Sequence, residues 1–144
     1  MPELIGIDLA AVEAWMVRVV EHVAAPFRWT RISGGHSNLT YKVQDAGGRS
    51  FALRRPPLGS HSGGAHDVLR EHRIQQALQG SVIPVPRMIA ACADASVTGA
   101  PFYLMDWAEG SIVDRAECVA ALLPDEASRR RMAYGLIDTL ADLH

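Results

Sequence analysis

Between Phe27 and Pro57 the chain alternates with period two and breaks at glycines, and this pattern leaves few folds open. Phe27, Trp29 and Arg31 oppose Arg28 and Thr30; past Ser33-Gly34-Gly35-His36-Ser37-Asn38, the residues Leu39, Tyr41 and Val43 again share a face. That is the spacing of strands, whose successive side chains point to opposite sides. The two glycines between the runs predict a hairpin, Asp45-Ala46-Gly47-Gly48 a second turn, and Ser50 to Arg54 a third strand. Pro56 and Pro57 close this antiparallel meander, because proline has no N–H to give to a ladder.

Elements on either side complete the outline. From Asp8 to Ala24 the residues Leu9, Val12, Met16, Val19, Val20 and Val23 recur at helical spacing, with Asp8 as N-cap and Pro26 as terminator. After the glycine- and histidine-rich stretch from Leu58 to Ala65, expected as a mobile connection, a helix runs from about His66 to Leu78 and stops at Gly80. Met88 to Cys92 and Phe102 to Trp107 read as a fourth and a fifth strand. Helices follow at Val119 to Leu123 and, past Pro124, at Asp125 to His144. The predicted class is α+β: a five-stranded antiparallel sheet with flanking helices over residues 1–107, then a helical part over residues 108–144.

A chain of 144 residues is long enough to bury roughly 70% of its unfolded surface in a single core. Its formal charge of −2 gives no general attraction to nucleic acid or an anionic membrane. Cys92 and Cys118 stand too far apart for a metal motif, and a disulfide framework is not expected. The N-terminus carries Glu3 and Asp8 in place of a basic secretion signal, so a cytoplasmic location is expected.

Three segments could carry chemistry. A glycine pair at a hairpin tip lets backbone amides approach an anion, with Ser37 and Asn38 as further donors, although such a turn is often only a turn. On the third strand, period two puts Ala52 and Arg54 on one face, leaving room for a flat base above Ala52 and a phosphate near Arg54. Against this stands the reading of Arg54 and Arg55 as solvated strand-end charges. Glu71, on the next helix, is either the carboxylate that fixes Arg54 or a surface partner of Arg70 and Arg73. His61, His66 and His72 lack the spacing of a zinc site, and no metal ligand is assigned.

Read together, several segments resemble the aminoglycoside phosphotransferase family, small-molecule kinases that share the protein-kinase fold. They are Ile32-Ser33-Gly34-Gly35-His36-Ser37-Asn38-Leu39-Thr40-Tyr41, Phe51-Ala52-Leu53-Arg54-Arg55-Pro56-Pro57, Arg70-Glu71-His72-Arg73, Val85-Pro86, Phe102 to Gly110 and Leu140 to His144, in family order. The resemblance implies a kinase-like N-lobe followed by the first helices of a helical C-lobe. It implies that Ser33, Gly34, Gly35, His36, Ser37 and Asn38 form the loop over the ATP phosphates, that Arg54 stands where the family usually has Lys, and that Glu71 is its ion-pair partner. Met105 would back the adenine pocket, with the carbonyl of Asp106 and the amide of Ala108 at the adenine edge. The Leu-Arg-Arg-Pro-Pro form looks like the branch associated with acyl-CoA dehydrogenases.

The cofactor so implied is ATP, or GTP, with Mg2+, and the acceptor is a small-molecule hydroxyl. The family's catalytic loop, His-x-Asp-x-x-x-x-Asn, occurs nowhere in these 144 residues, so no catalytic residue is assigned and the metal ligands are expected outside a truncated chain. The competing reading is a non-catalytic nucleotide-binding or interaction module that keeps the lobe's fold. On either reading the apolar residues of the last helix need cover, for which a homodimer is one solution.

Overall fold

The computed structural model describes residues 4–32, 38–59, 66–113 and 115–144. The glycine turn from Ser33 to Ser37 and residues 60–65 of the connection, His61 among them, lie outside the described residues. Five strands form one antiparallel sheet: β1 (Arg28–Ile32), β2 (Leu39–Gln44), β3 (Ser50–Arg55), β4 (Met88–Cys92) and β5 (Phe102–Asp106), in the order β1-β2-β3-β5-β4. The meander is β1 to β3, and β5 inserts beside β3 so that β4 becomes the far edge.

Register decides what each face carries. Tyr41 pairs with Leu53, Val43 with Phe51 and Leu53 with Leu104, and all five side chains are inaccessible to solvent. Against that face packs α1 (Leu9–Val19), burying Val12, Trp15 and Met16. Trp15 meets Phe102 edge-on at 4.8 Å, a favoured aromatic geometry. Asp8 caps this helix by accepting from the Ala11 amide, as its residue type predicts.

Two local expectations for the first helix need correction. The first helix ends at Val19, well before Pro26, because Val20 turns to an extended conformation and drops its side chain into the core. Trp15 belongs to the buried stripe and Val19, 42% exposed, does not. The second helix, α2 (Val68–Ala77), buries only Val68 and leaves Ile74 exposed. Beyond the Val68 contact with Met88 and Tyr103, it packs on β4 and β5 through polar side chains, His72 lying 5.6 Å from the Tyr103 ring and Gln75 donating to the Tyr103 hydroxyl at 3.1 Å.

Arg55 is no solvated charge. It is 3% exposed and donates to the carbonyls of Pro56 (3.1 Å), Thr98 (3.0 Å) and Gly6. Thr98 adds a hydroxyl bond to the same Gly6 carbonyl and accepts from the Asp8 amide. Backbone carbonyls in place of a carboxylate satisfy this cation and tie residues 6–8 to the sheet.

The described chain divides into two compact units, Met1–Gln79 with Pro86–Trp107, and Gly80–Val85 with Ala108–His144. The second contains α3 (Ala116–Leu122) and α4 (Glu126–Leu143), the latter capped by Asp125, which accepts from the Ser128 amide at 2.7 Å. Neither helix buries a residue, and Met132, Leu136, Ile137, Leu140 and Leu143 of α4 are all at least 44% exposed. Among the described residues no helix is long and apolar enough to cross a membrane.

Gly6 has φ +77°, and a Cβ there would meet Arg55 Nη1 at 2.7 Å and Leu58 Cδ2 at 2.8 Å. Gly6→Ala therefore combines backbone strain with a clash against a buried guanidinium, and is expected to lower the unfolding free energy by about 1–3 kcal/mol. Urea denaturation measures it; an unchanged midpoint would count against the Arg55 clamp.

Candidate functional site

The other face of the sheet is more polar. Thr40 pairs with Arg54 and Arg54 with Tyr103; one step along the strands, Lys42 pairs with Ala52 and Ala52 with Met105. Two rows thus cross three strands on the side that α2 covers, Thr40-Arg54-Tyr103 and Lys42-Ala52-Met105. Ala52 and Arg54 share this face, as period two requires.

Above the first row stands Glu71, in the first turn of α2. Its Oε1 lies 3.1 Å from Arg54 Nε, and each side chain is 29% exposed. The Nε–H is not aimed at that oxygen, so the contact is an ion pair without a hydrogen bond, and Nε remains a buried donor with no hydrogen-bond partner among the described residues. The other carboxylate oxygen, Oε2, accepts from Asn38 Nδ2 at 3.0 Å. An ion pair this accessible contributes about 1 kcal/mol or less to folding, so stability gives little reason for it.

Tyr103 underlies the pair and is fully buried. Burial, reinforced by the Glu71 carboxylate, pushes its hydroxyl up to about 12. Burial also holds the neighbouring His72 imidazole below its ordinary value, favouring the neutral ring.

In the second row Ala52 is 3% exposed, so the space above it is closed. The Lys42 ammonium lies 4.4 Å from the centroid of the Trp107 ring, within cation–π range. Met105 packs with Val68, Met88 and Tyr103 at the α2 side of the sheet. The Asp106 carboxylate is held by Arg87 (Nε to Oδ2, 2.8 Å) and approached by Arg49 at 3.7 Å, while its amide donates to the Arg87 carbonyl. Ala108 is exposed and belongs to the second unit.

Of the residues singled out from sequence, the structure therefore gathers Asn38, Arg54 and Glu71, and places Ala52 and Met105 in the adjoining row. Ser33, Gly34, Gly35, His36 and Ser37 lie outside the described residues. Sequence reasoning missed the contact of Gln75 with Tyr103; its signal was only that Gln75 lies one helical turn past Glu71.

The profile of the phosphotransferase enzyme family matches residues 28–144, from the first strand to the last residue. The chain belongs to this family. A Ralstonia eutropha JMP134 protein assigned to the aminoglycoside phosphotransferases shares the fold, with TM-score 0.61 and 35% identity over 74% of this chain and 29% of that one. The five-stranded sheet with its flanking helices is thus the kinase-like fold of phosphotransferase family members. Acyl-CoA dehydrogenase family member 11 of Gallus gallus is 34% identical over 142 residues, covering 95% of this chain but 18% of that protein. Family member 10 of Mus musculus is 36% identical over 113 residues, 78% of this chain and 10% of that protein. The branch implied by Leu53-Arg54-Arg55-Pro56-Pro57 is the one found. The chain spans less than a fifth of the length of these relatives.

The folded state holds the Tyr103 proton above the ordinary tyrosine value of 10. Its contribution to stability is fully present below pH 10, where the unfolded chain is also protonated, and is lost as pH rises from 10 to about 12. Tyr103→Phe should therefore flatten the fall of stability over that range. Urea midpoints of both proteins at pH 9, 10 and 11 check this, and parallel curves would remove Tyr103 as the source (pH values about one unit apart suffice).

Proposed function

We propose that this chain is the nucleotide-binding part of an ATP-dependent phosphotransferase that acts on a small-molecule hydroxyl. The observation that carries the reading is the Arg54 guanidinium: paired with Glu71 at 3.1 Å, yet keeping a buried Nε–H without a hydrogen-bond partner among the described residues. A buried donor on a cation whose rotamer is fixed by a carboxylate fits a phosphate oxygen, and membership of the phosphotransferase family supplies the chemical context.

The two rows divide the work. Arg54 meets the phosphates, and the base lies over Ala52 with Met105 behind it and the backbone of Asp106 at its edge. Because Ala52 is closed over, seating a base requires movement of side chains such as Lys42, whose flexible stem suits that role. Phosphate contacts do not distinguish ATP from GTP; the backbone at the base edge does.

Among the described residues no three His, Cys, Asp or Glu side chains come together as a cation site. These residues do not fit a magnesium centre, and no step is derived through one. The division of roles assigns this part to binding and orientation, with the hydroxyl acceptor, the base and the metal ligands belonging to the rest of the phosphotransferase.

The test is ATP affinity of the 144-residue chain by calorimetry. Arg54→Ala is expected to weaken binding about 10- to 100-fold, the effect of losing a charge-assisted bond to phosphate. Unchanged affinity would reject the phosphate role of Arg54, and a chain that folds but binds no nucleotide would favour the interaction-module reading.

A further inference from the structure

The two oxygens of Glu71 are engaged in different ways. Oε1 lies 3.1 Å from Arg54 Nε without a hydrogen bond from it, whereas Oε2 accepts a directed bond from Asn38 Nδ2 at 3.0 Å; the buried Tyr103 hydroxyl is a further neighbour of the carboxylate. Charge attraction sets the separation of an ion pair but orients it weakly; a hydrogen bond depends steeply on angle and so fixes a rotamer. Glu71 and Arg54 are both partly exposed, where long side chains otherwise exchange conformers.

Asn38 is well placed for this. It stands one position before β2, on the face that carries Thr40 and Lys42, so period two directs it towards the Arg54 side of the sheet. Its orientation is set by charge: turned over, the amide would bring Oδ1 against the carboxylate. In the orientation present, Oδ1 is buried and has no hydrogen-bond partner among the described residues. That atom is an acceptor, of the wrong polarity for a phosphate oxygen.

We infer that Asn38 is a positioning residue: it locks the Glu71 carboxylate, and through it the Arg54 guanidinium, in the orientation that meets an anion. This replaces the role of direct phosphate donor that its place in the sequence suggests. The consequence for nucleotide binding rests on the function proposed above, whereas the effect on Arg54 does not.

Two measurements on the 144-residue chain decide it. The first is the Arg54 Nε–Hε signal in nitrogen-15 NMR without nucleotide, identified by its loss in Arg54→Lys. Asn38→Ala, and Asn38→Leu, which keeps the side-chain volume should the smaller variant fold poorly, are expected to shift it and speed its exchange with water, as Glu71→Ala does. A signal that neither Asn38 variant moves overturns the inference, whether or not the chain binds ATP.

The second is a double-mutant cycle on ATP affinity. Asn38→Ala is expected to weaken binding about 5-fold or more alone, but by no more than about 2-fold in a Glu71→Ala background. An equal loss in both backgrounds means that Asn38 touches the nucleotide directly, and the inference fails while the proposed function stands. Absence of ATP binding by the parent chain removes the function instead and leaves Arg54 positioning to the NMR result.

Discussion

The structure depends on β3 being satisfied on both edges and both faces. It is bonded to β2 and β5, and its side chains alternate between the α1 core and the α2 side of the sheet. Phe51 and Leu53 supply the apolar contacts that make this strand central, while Ala52 leaves the opposite face shallow. Because a strand's period is fixed at two, embedding Phe51 and Leu53 also dictates where the next two residues point. Arg54 is carried to the ion pair with Glu71, and Arg55 to the carbonyls of Gly6 and Thr98. The site is in this sense a by-product of the core.

Much of this was legible in the sequence, for physical reasons that differ from element to element. The sheet could be read because alternation from Trp29 to Val43 and glycine turns are local signals, as was the shared face of Ala52 and Arg54. The end of α1 could not, since what stops it is the pull of the core on Val20 and not a breaker residue. The sheet-facing side of α2 was hidden because beside Val68 it is polar: His72 and Gln75 are held by the Tyr103 ring and hydroxyl, a partnership between segments remote in sequence. The same holds for Asn38. Its residue type announced a polar contact, but only the fold brings Glu71, 33 positions later, to its amide.

Family membership and geometry answer different questions. The profile match over residues 28–144 says what kind of protein this is, and the sheet and flanking helices say how it is built. Neither identifies the acceptor. The relatives that the chain matches are several times longer than it is. What the described residues present is a guanidinium paired with a carboxylate beside the row of Lys42, Ala52 and Met105.

The juxtaposition of Arg54 and Arg55 has a consequence for how the gene can vary. Two identical side chains, one residue apart, hold unrelated posts, and a one-residue slip of β3 would leave a guanidinium at only one of them, bringing Leu53 or Pro56 to the other. It would also turn Phe51 and Leu53 out of the core and Ala52 into it. Insertions and deletions within this strand are therefore opposed by its hydrocarbon as well as by its charges. Substitutions are weighed separately at each arginine: one answers to the carbonyls of the amino-terminal segment, the other to the carboxylate of Glu71.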